Sequence, residues 1–168
     1  MVDNSITMQL ILILMLTIIN GFFAATEIAF VSLDKNKLRQ KSEDGDKKSE
    51  LILDILGKPS RFLSTIQVGI TFAGFFSSAS AAVGISGKLG AYLSSIGIPF
   101  AKNISFIGIT LSLSYFVLVF GELVPKRIAL QSTEKFSRIA VKPISVIAKM
   151  MKPFISLLSF STNTVAEF

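Results

Sequence analysis

The sequence contains no cysteine, no histidine and no tryptophan. Without cysteine there is no disulfide framework, no thiolate metal site and no cysteine nucleophile. Without histidine there is no imidazole ligand and no imidazole acid–base chemistry. Any bound metal must therefore take oxygen ligands, as hard cations such as magnesium and calcium do. Charge is scarce as well: 17% of the 168 residues are Asp, Glu, Lys or Arg, where a soluble domain carries about a quarter. What fills the space is apolar. Hydrophobic residues make up 51% of the chain and its mean hydropathy is +0.64, too apolar for a water-facing surface. The net charge of +6 would suggest nucleic acid in a soluble protein. In so apolar a chain it marks loops on the cytoplasmic side of a membrane, so no nucleic-acid partner and no enzyme activity are expected.

Three uncharged runs fix the class. Residues 6–26, 62–87 and 103–121 contain 21, 26 and 19 residues without a charge. A bilayer core of roughly 30 Å needs about 20 helical residues, so each run qualifies as a span. A signal peptide is a poor reading of the first run. Only Asp3 precedes it, and the run exceeds the roughly 7–15 residues of a signal core. The basic residues orient the spans: eight lie between Asp34 and Arg61, two between Gly84 and Lys102, and seven after Gly121. The positive-inside bias then predicts an outside N-terminus and a cytoplasmic C-terminus.

The connecting segments differ from one another. Lys35 to Leu56 reads as a short polar helix pair turning at Gly45, with Leu38, Leu51, Ile52 and Ile55 on its apolar side. Gly57 and Pro59 end the second of these helices. Residues 86–102 read as a short outer loop with Gly90, Gly97 and Pro99. After Pro125 the chain is basic, interrupted by Pro143 and Pro153, and reads as helix lying along the cytoplasmic interface with snorkelling lysines. A fourth span is the competing reading of that region.

Two carboxylates, Glu27 and Glu122, stand at or near membrane depth. Burying a carboxylate in hydrocarbon is costly, so such a residue faces a cavity, a partner or an ion. The plainer alternative is that each sits at a helix end and reaches water. Thr17, Asn20, Ala24 and Glu27 share one face of the first span by their spacing. Ser64, Gln67 and Thr71 share a face of the second, where Gly69 and Gly74 allow close backbone approach or expose carbonyls. Thr110, Ser114 and Gly121 run down the third towards Glu122. Three polar stripes fit one interior site for a hard cation; polar glue between helices is the alternative. Pro125 leaves the carbonyl of Gly121 without its helical donor, which offers a second ligand beside Glu122. Lys126 either closes the cytoplasmic mouth or balances Glu122; the alternative is an ordinary helix stop with a positive-inside lysine. The small residues from Ser77 to Ala82 allow close helix contact within one subunit or between two.

At these residues the chain resembles a known family. Gly21-Phe22-Phe23-Ala24-Ala25-Thr26-Glu27-Ile28-Ala29 resembles the first-helix motif of the CNNM/CorC magnesium transporter family. Residues 58–71, KPSRFLSTIQVGIT, are similar to the start of its second helix, and residues 121–126, GELVPK, to the end of its third. The order and spacing agree from about residue 6 to 165. The resemblance implies an all-α membrane protein with three transmembrane helices and a cytoplasmic juxtamembrane helical belt, dimeric in the cell membrane. It also implies divalent-cation export, magnesium driven by sodium entry. The expected domain is residues 1–165, with 166–168 as a cloning remnant and the family's cytoplasmic CBS and C-terminal domains absent from the chain. Two positions depart from the pattern. Ala24 stands where the family often has a small hydroxyl residue, so Thr26 alone keeps that character. Ile70 stands where many members have a coordinating Asn, so either Thr71 or the Gly69 carbonyl substitutes, or the site is weaker or selects another ion.

The expected site is one cation, magnesium, bound between three helices without most of its water. Its candidate ligands are Thr26, Gly69, Thr71, Gly121 and Glu122, with Glu27 as a ligand or a neighbouring charge. Pro125 and Lys126 flank it. A non-transporting membrane scaffold or ion sensor is the alternative function.

Overall fold

A computed structural model describes residues 4–166. Among them there is helix and no strand. The helices are α1 (Asn4–Val31), α2 (Lys35–Glu43), α3 (Lys47–Leu56), α4 (Pro59–Val83), α5 (Ile85–Ser95) and α6 (Ala101–Leu118). A π-turn over Val119–Leu123 then leads into α7 (Val124–Gln131), α8 (Thr133–Met150) and α9 (Lys152–Ala166). Three stretches are long and apolar enough to cross a membrane: Ile6–Val31, Pro59–Ser95 and Ala101–Gln131. At 1.5 Å rise per residue, α1 and α4 are about 42 and 38 Å long, more than the hydrocarbon core requires. The chain is an all-α membrane protein with three such helices, as the uncharged runs predict.

The chain forms two compact units. The first comprises residues 1–24 and 69–125, and the second residues 25–68 and 126–168. The first unit turns its large apolar side chains outward. Leu10, Ile11, Leu14, Met15, Ile18, Phe75 and Leu111 are all at least half exposed. Small and polar residues fill its interior: Thr17, Asn20, Ala24, Ala73, Ser77 and Ser105 are buried. That distribution suits a hydrocarbon surround, where lipid solvates leucine as well as a protein core does and small residues let helices approach. The segment read as an outer loop is mostly helical. Residues 85–95 form α5, which packs against α6. Gly90 makes the approach possible, because a Cβ there would stand 3.1 Å from Cα of Lys102. The loop proper is confined to residues 96–100, where Gly97 adopts φ +82°. Glycine and proline at 97 and 99 were legible as a turn; Gly90 looked like one and is a packing contact.

The second unit follows the rules of water-exposed helices. Asp34 caps α2, accepting from the backbone N–H groups of Asn36 and Lys37 at 2.9 and 3.3 Å. Asp46 caps α3, accepting from the N–H of Lys48 at 3.3 Å. Gly45 supplies the left-handed turn between them, at φ +88°. Leu38 and Ile52 are fully buried, whereas Leu51 is exposed. α8 buries Ser137, Ala140, Val141 and Ile144 on one face and packs against α3. Pro143 does not interrupt it. The carbonyl that loses its donor is that of Ile139, and both residues lie on the exposed side, so the missing bond falls where the surroundings tolerate it. Pro153 stands in the first turn of α9, where its missing N–H costs nothing. Of the expected 166–168 remnant, residues 167 and 168 lie outside the described residues.

Candidate cation site

Pro125 shapes the first half of the site. It does not stop the helix, which continues through a π-turn to Gln131. The N–H of Val124 donates to the carbonyl of Val119, five residues back. Pro125 has no N–H, so the Gly121 carbonyl loses the donor a regular helix would give it. The amide nitrogen of Asn20 takes that place, donating to Gly121 O at 2.9 Å across 101 residues of sequence. Because the partner is a carbonyl, the amide must turn its nitrogen towards it. Its oxygen, Oδ1, is then buried without a hydrogen-bond partner.

Two glycines let this junction close. A Cβ at Gly21 would come within 2.9 Å of Pro125 Cγ. A Cβ at Gly121 would meet Asn20 Nδ2 at 3.2 Å and Thr17 Cγ2 at 3.3 Å. The stripe of Thr17, Asn20 and Ala24 read from helical spacing is thus buried. Thr17 is satisfied locally, its hydroxyl donating to Ile13 O at 2.8 Å. Gly69 has a packing role: a Cβ there would lie 2.5 Å from the ring of Phe23.

The second half is an open cleft of about 340 Å³. Its polar lining is Thr71, Ser78, Ser114 and Glu122. Ile70, Phe75, Val117 and Leu118 form its apolar wall. Two of the sequence candidates, Thr71 and Glu122, therefore share one cleft, and Ile70 stands beside them. Ser114 was legible only as part of a polar stripe and Ser78 only as a small contact residue. Ser114 lies in the stripe that runs towards Glu122, whereas Ser78 meets Glu122 only through the pairing of helices far apart in sequence.

Thr26, Glu27 and Lys126 belong to the second unit. Thr26 is fully buried, in the helical turn that carries the packed Ala25 and Ala29. Glu27 is partly exposed and pairs with Lys126 at 3.4 Å. The sequence offered Lys126 as a gate or a balance for Glu122; the structure also gives it Glu27 as a partner. Among the described residues, no three Asp, Glu, His or Cys side chains gather as a metal cluster. The donors in the cleft are one carboxylate and three hydroxyls, an all-oxygen set suited to a hard cation.

Comparison with known proteins agrees with this architecture. The cyclin M transmembrane N-terminal domain matches residues 10–168. The UPF0053 protein sll0260 of Synechocystis is 34% identical over 167 residues, covering 98% of this chain and 37% of that protein. YugS of Bacillus subtilis is 29% identical over 171 residues, covering 95% and 38%. The inner membrane protein YfjD of Escherichia coli is 24% identical over 145 residues, covering 86% and 31%. The chain thus spans between 31 and 38% of the length of these relatives. Three apolar helices and a match over nearly the whole chain place it in the CNNM family, whose transmembrane domain it carries.

Proposed function

We propose that the chain moves a divalent cation, magnesium, across the membrane, and that sodium entry drives magnesium export. The observation that carries this reading is the cleft that brings Glu122 together with Thr71, Ser78 and Ser114 in an otherwise apolar helix layer. A carboxylate in such a layer faces a cavity, a partner or an ion, and an open cleft with three hydroxyls beside it favours an ion. Magnesium prefers six oxygens and gives up its water reluctantly. One carboxylate and three hydroxyls fall short of six, so retained water completes the shell. The Gly121 carbonyl, bonded to Asn20, remains a proposed ligand because it adjoins Glu122 in the chain. Glu27, paired with Lys126 in this structure, is a ligand or a neighbouring charge in this reading. Thr26 and the Gly69 carbonyl remain proposed ligands on the strength of the sequence motifs.

The proposed orientation has the N-terminus outside and the C-terminus in the cytoplasm, and the proposed assembly is a homodimer in the cell membrane. Cysteines introduced at Ser42 and Ser94 should react with an impermeant reagent from opposite sides. Reaction from the same side would remove the three-span topology.

Proteoliposomes holding the wild-type chain should release magnesium when a sodium gradient is applied. Glu122→Gln keeps the size of the side chain and removes its charge, so flux should fall to background. Ile70→Asn places an amide in the same cleft and should tighten magnesium binding. If Glu122→Gln transports as wild type, the cleft is not the site. If wild type binds magnesium and never moves it, the chain is an ion-sensing scaffold, a reading that the apolar Ile70 in the cleft wall favours.

A further inference from the structure

A second cavity, in the other unit, has a different chemistry. It holds about 170 Å³ and lies among the end of α3, the start of α4 and the C-terminal part of α8. Pockets for drug-sized ligands run about 300–1,000 Å³, so this one suits a single compact group. Its charged lining is Lys58, Arg61 and Lys149, with Asp54 as the one anion. Asp54 pairs with Lys58 at 2.5 Å. Arg61 donates one N–H to the Ala148 carbonyl at 3.1 Å, which fixes its guanidinium fork at the cavity wall. A guanidinium has five donors in a fork that matches phosphate oxygens. Ile55, Phe62 and Ile144 supply the apolar wall. Phe62 is itself held by stacking on Phe30, with ring centroids 5.0 Å apart.

The position of the cavity along the chain names the source of the ligand. Arg61 is the last charged residue before 26 uncharged ones. The cavity therefore stands where the second span leaves water. There, basic side chains reach for head groups, and apolar surface beside them meets acyl chain. The apolar residues Val146 and Met150 of α8 are also exposed, at 57 and 75%. We propose that this cavity binds the phosphate group of an anionic phospholipid, with Arg61 and Lys149 as its principal donors.

Native mass spectrometry of the full chain in detergent, titrated with phosphatidylglycerol or phosphatidylcholine, tests this. Phosphatidylglycerol should bind in preference. Lys149→Gln should weaken it about fivefold, the effect of one basic side chain near an anionic surface. Asp54→Asn removes the opposing charge and should strengthen binding. Lys135→Gln, an equal charge loss elsewhere on α8, should change nothing. Lys149 is exposed, so its replacement should leave the fold intact, which circular dichroism checks. The proposal fails if Lys149→Gln binds as wild type or if Lys135→Gln weakens binding equally. It also fails if phosphatidylcholine binds as well as phosphatidylglycerol. Inorganic phosphate is the remaining arm. If it competes with equal affinity and the same dependence on Lys149, the site serves a soluble phosphate and the lipid assignment is overturned.

Discussion

The two units of this chain differ in what holds their helices together. In the first, aliphatic and aromatic side chains face out, while Thr17, Asn20, Ser77 and Ser105 lie inside. In the second, ion pairs and helix caps organise short amphipathic helices. Asp46 takes both nitrogens of the Arg138 fork, the second at 3.2 Å, and also accepts from Ser49 Oγ at 2.7 Å. Glu134 pairs with Lys41, and with Lys37 at 3.2 Å. The first unit thus relies on close packing, and the second adds charge pairs and helix caps. In hydrocarbon a glycine that lets two helices touch does work that a salt bridge does in the second unit.

The largest expected effect tests the packing half of that contrast. Gly69→Val would drive side-chain atoms into the Phe23 ring, since even a Cβ would stand 2.5 Å from it. An aromatic ring wedged in a helix layer cannot give way cheaply. A loss of about 3 kcal/mol is expected, the upper part of the range for overpacked sites. Thermal unfolding in detergent measures it. Phe23→Leu should recover part of that loss in the double variant, which shows that the two positions are coupled. A Gly69→Val chain as stable as wild type would mean that this glycine is not what brings the helices together.

The next effect is smaller and concerns polarity inside the apolar unit. Asn20→Ala removes the donor to the Gly121 carbonyl, leaving a buried acceptor unpaired. Such a group costs about 1–3 kcal/mol. The cost should fall if Pro125 is also replaced by Ala, because a restored N–H at position 125 could again reach the Gly121 carbonyl. That reversal is the sharper measurement. If Asn20→Ala costs the same with and without Pro125, the bond is not compensating for the proline.

The difference between the units also explains what could be read in advance. The spans were legible because a charge-free run of 19 or more residues has few other uses. The α2–α3 pair was legible because Asp34, Gly45 and Asp46 act locally, within a few residues of where they stand. The loss of a donor to the Gly121 carbonyl followed from counting four residues back from Pro125. Its replacement, Asn20, lies 101 residues away, and only tertiary pairing reveals it. The same holds for the cleft: Thr71 and Glu122 were each legible as polar residues in apolar runs, whereas Ser78 joins them only through the packing of α4 and α6. Gly69 was read as a site of close approach or an exposed carbonyl, and the ring of Phe23 lies against it.

The smallest effect tests the charged half. Arg138, with Ser49, holds the Asp46 carboxyl well below the usual carboxylate range. Lys41 and Lys37 lower that of Glu134. A carboxyl with a lowered folded pKa contributes its stability above the unfolded value, about 4. It loses that contribution as pH falls towards the folded value. Hydrogen exchange, corrected for the intrinsic pH dependence of the amides, should therefore show residues 36–56 losing protection below about pH 4. The amides of residues 13–24 should keep theirs, because neither Thr17 nor Asn20 titrates. Both acids sit near water, so the change should be modest and should shrink further in high salt. Arg138→Gln should bring the low protection of the α2–α3 pair to neutral pH and flatten its acid response. If acid loosened residues 13–24 as much as residues 36–56, charge would not be what distinguishes the two units, and the contrast would have to rest on packing alone.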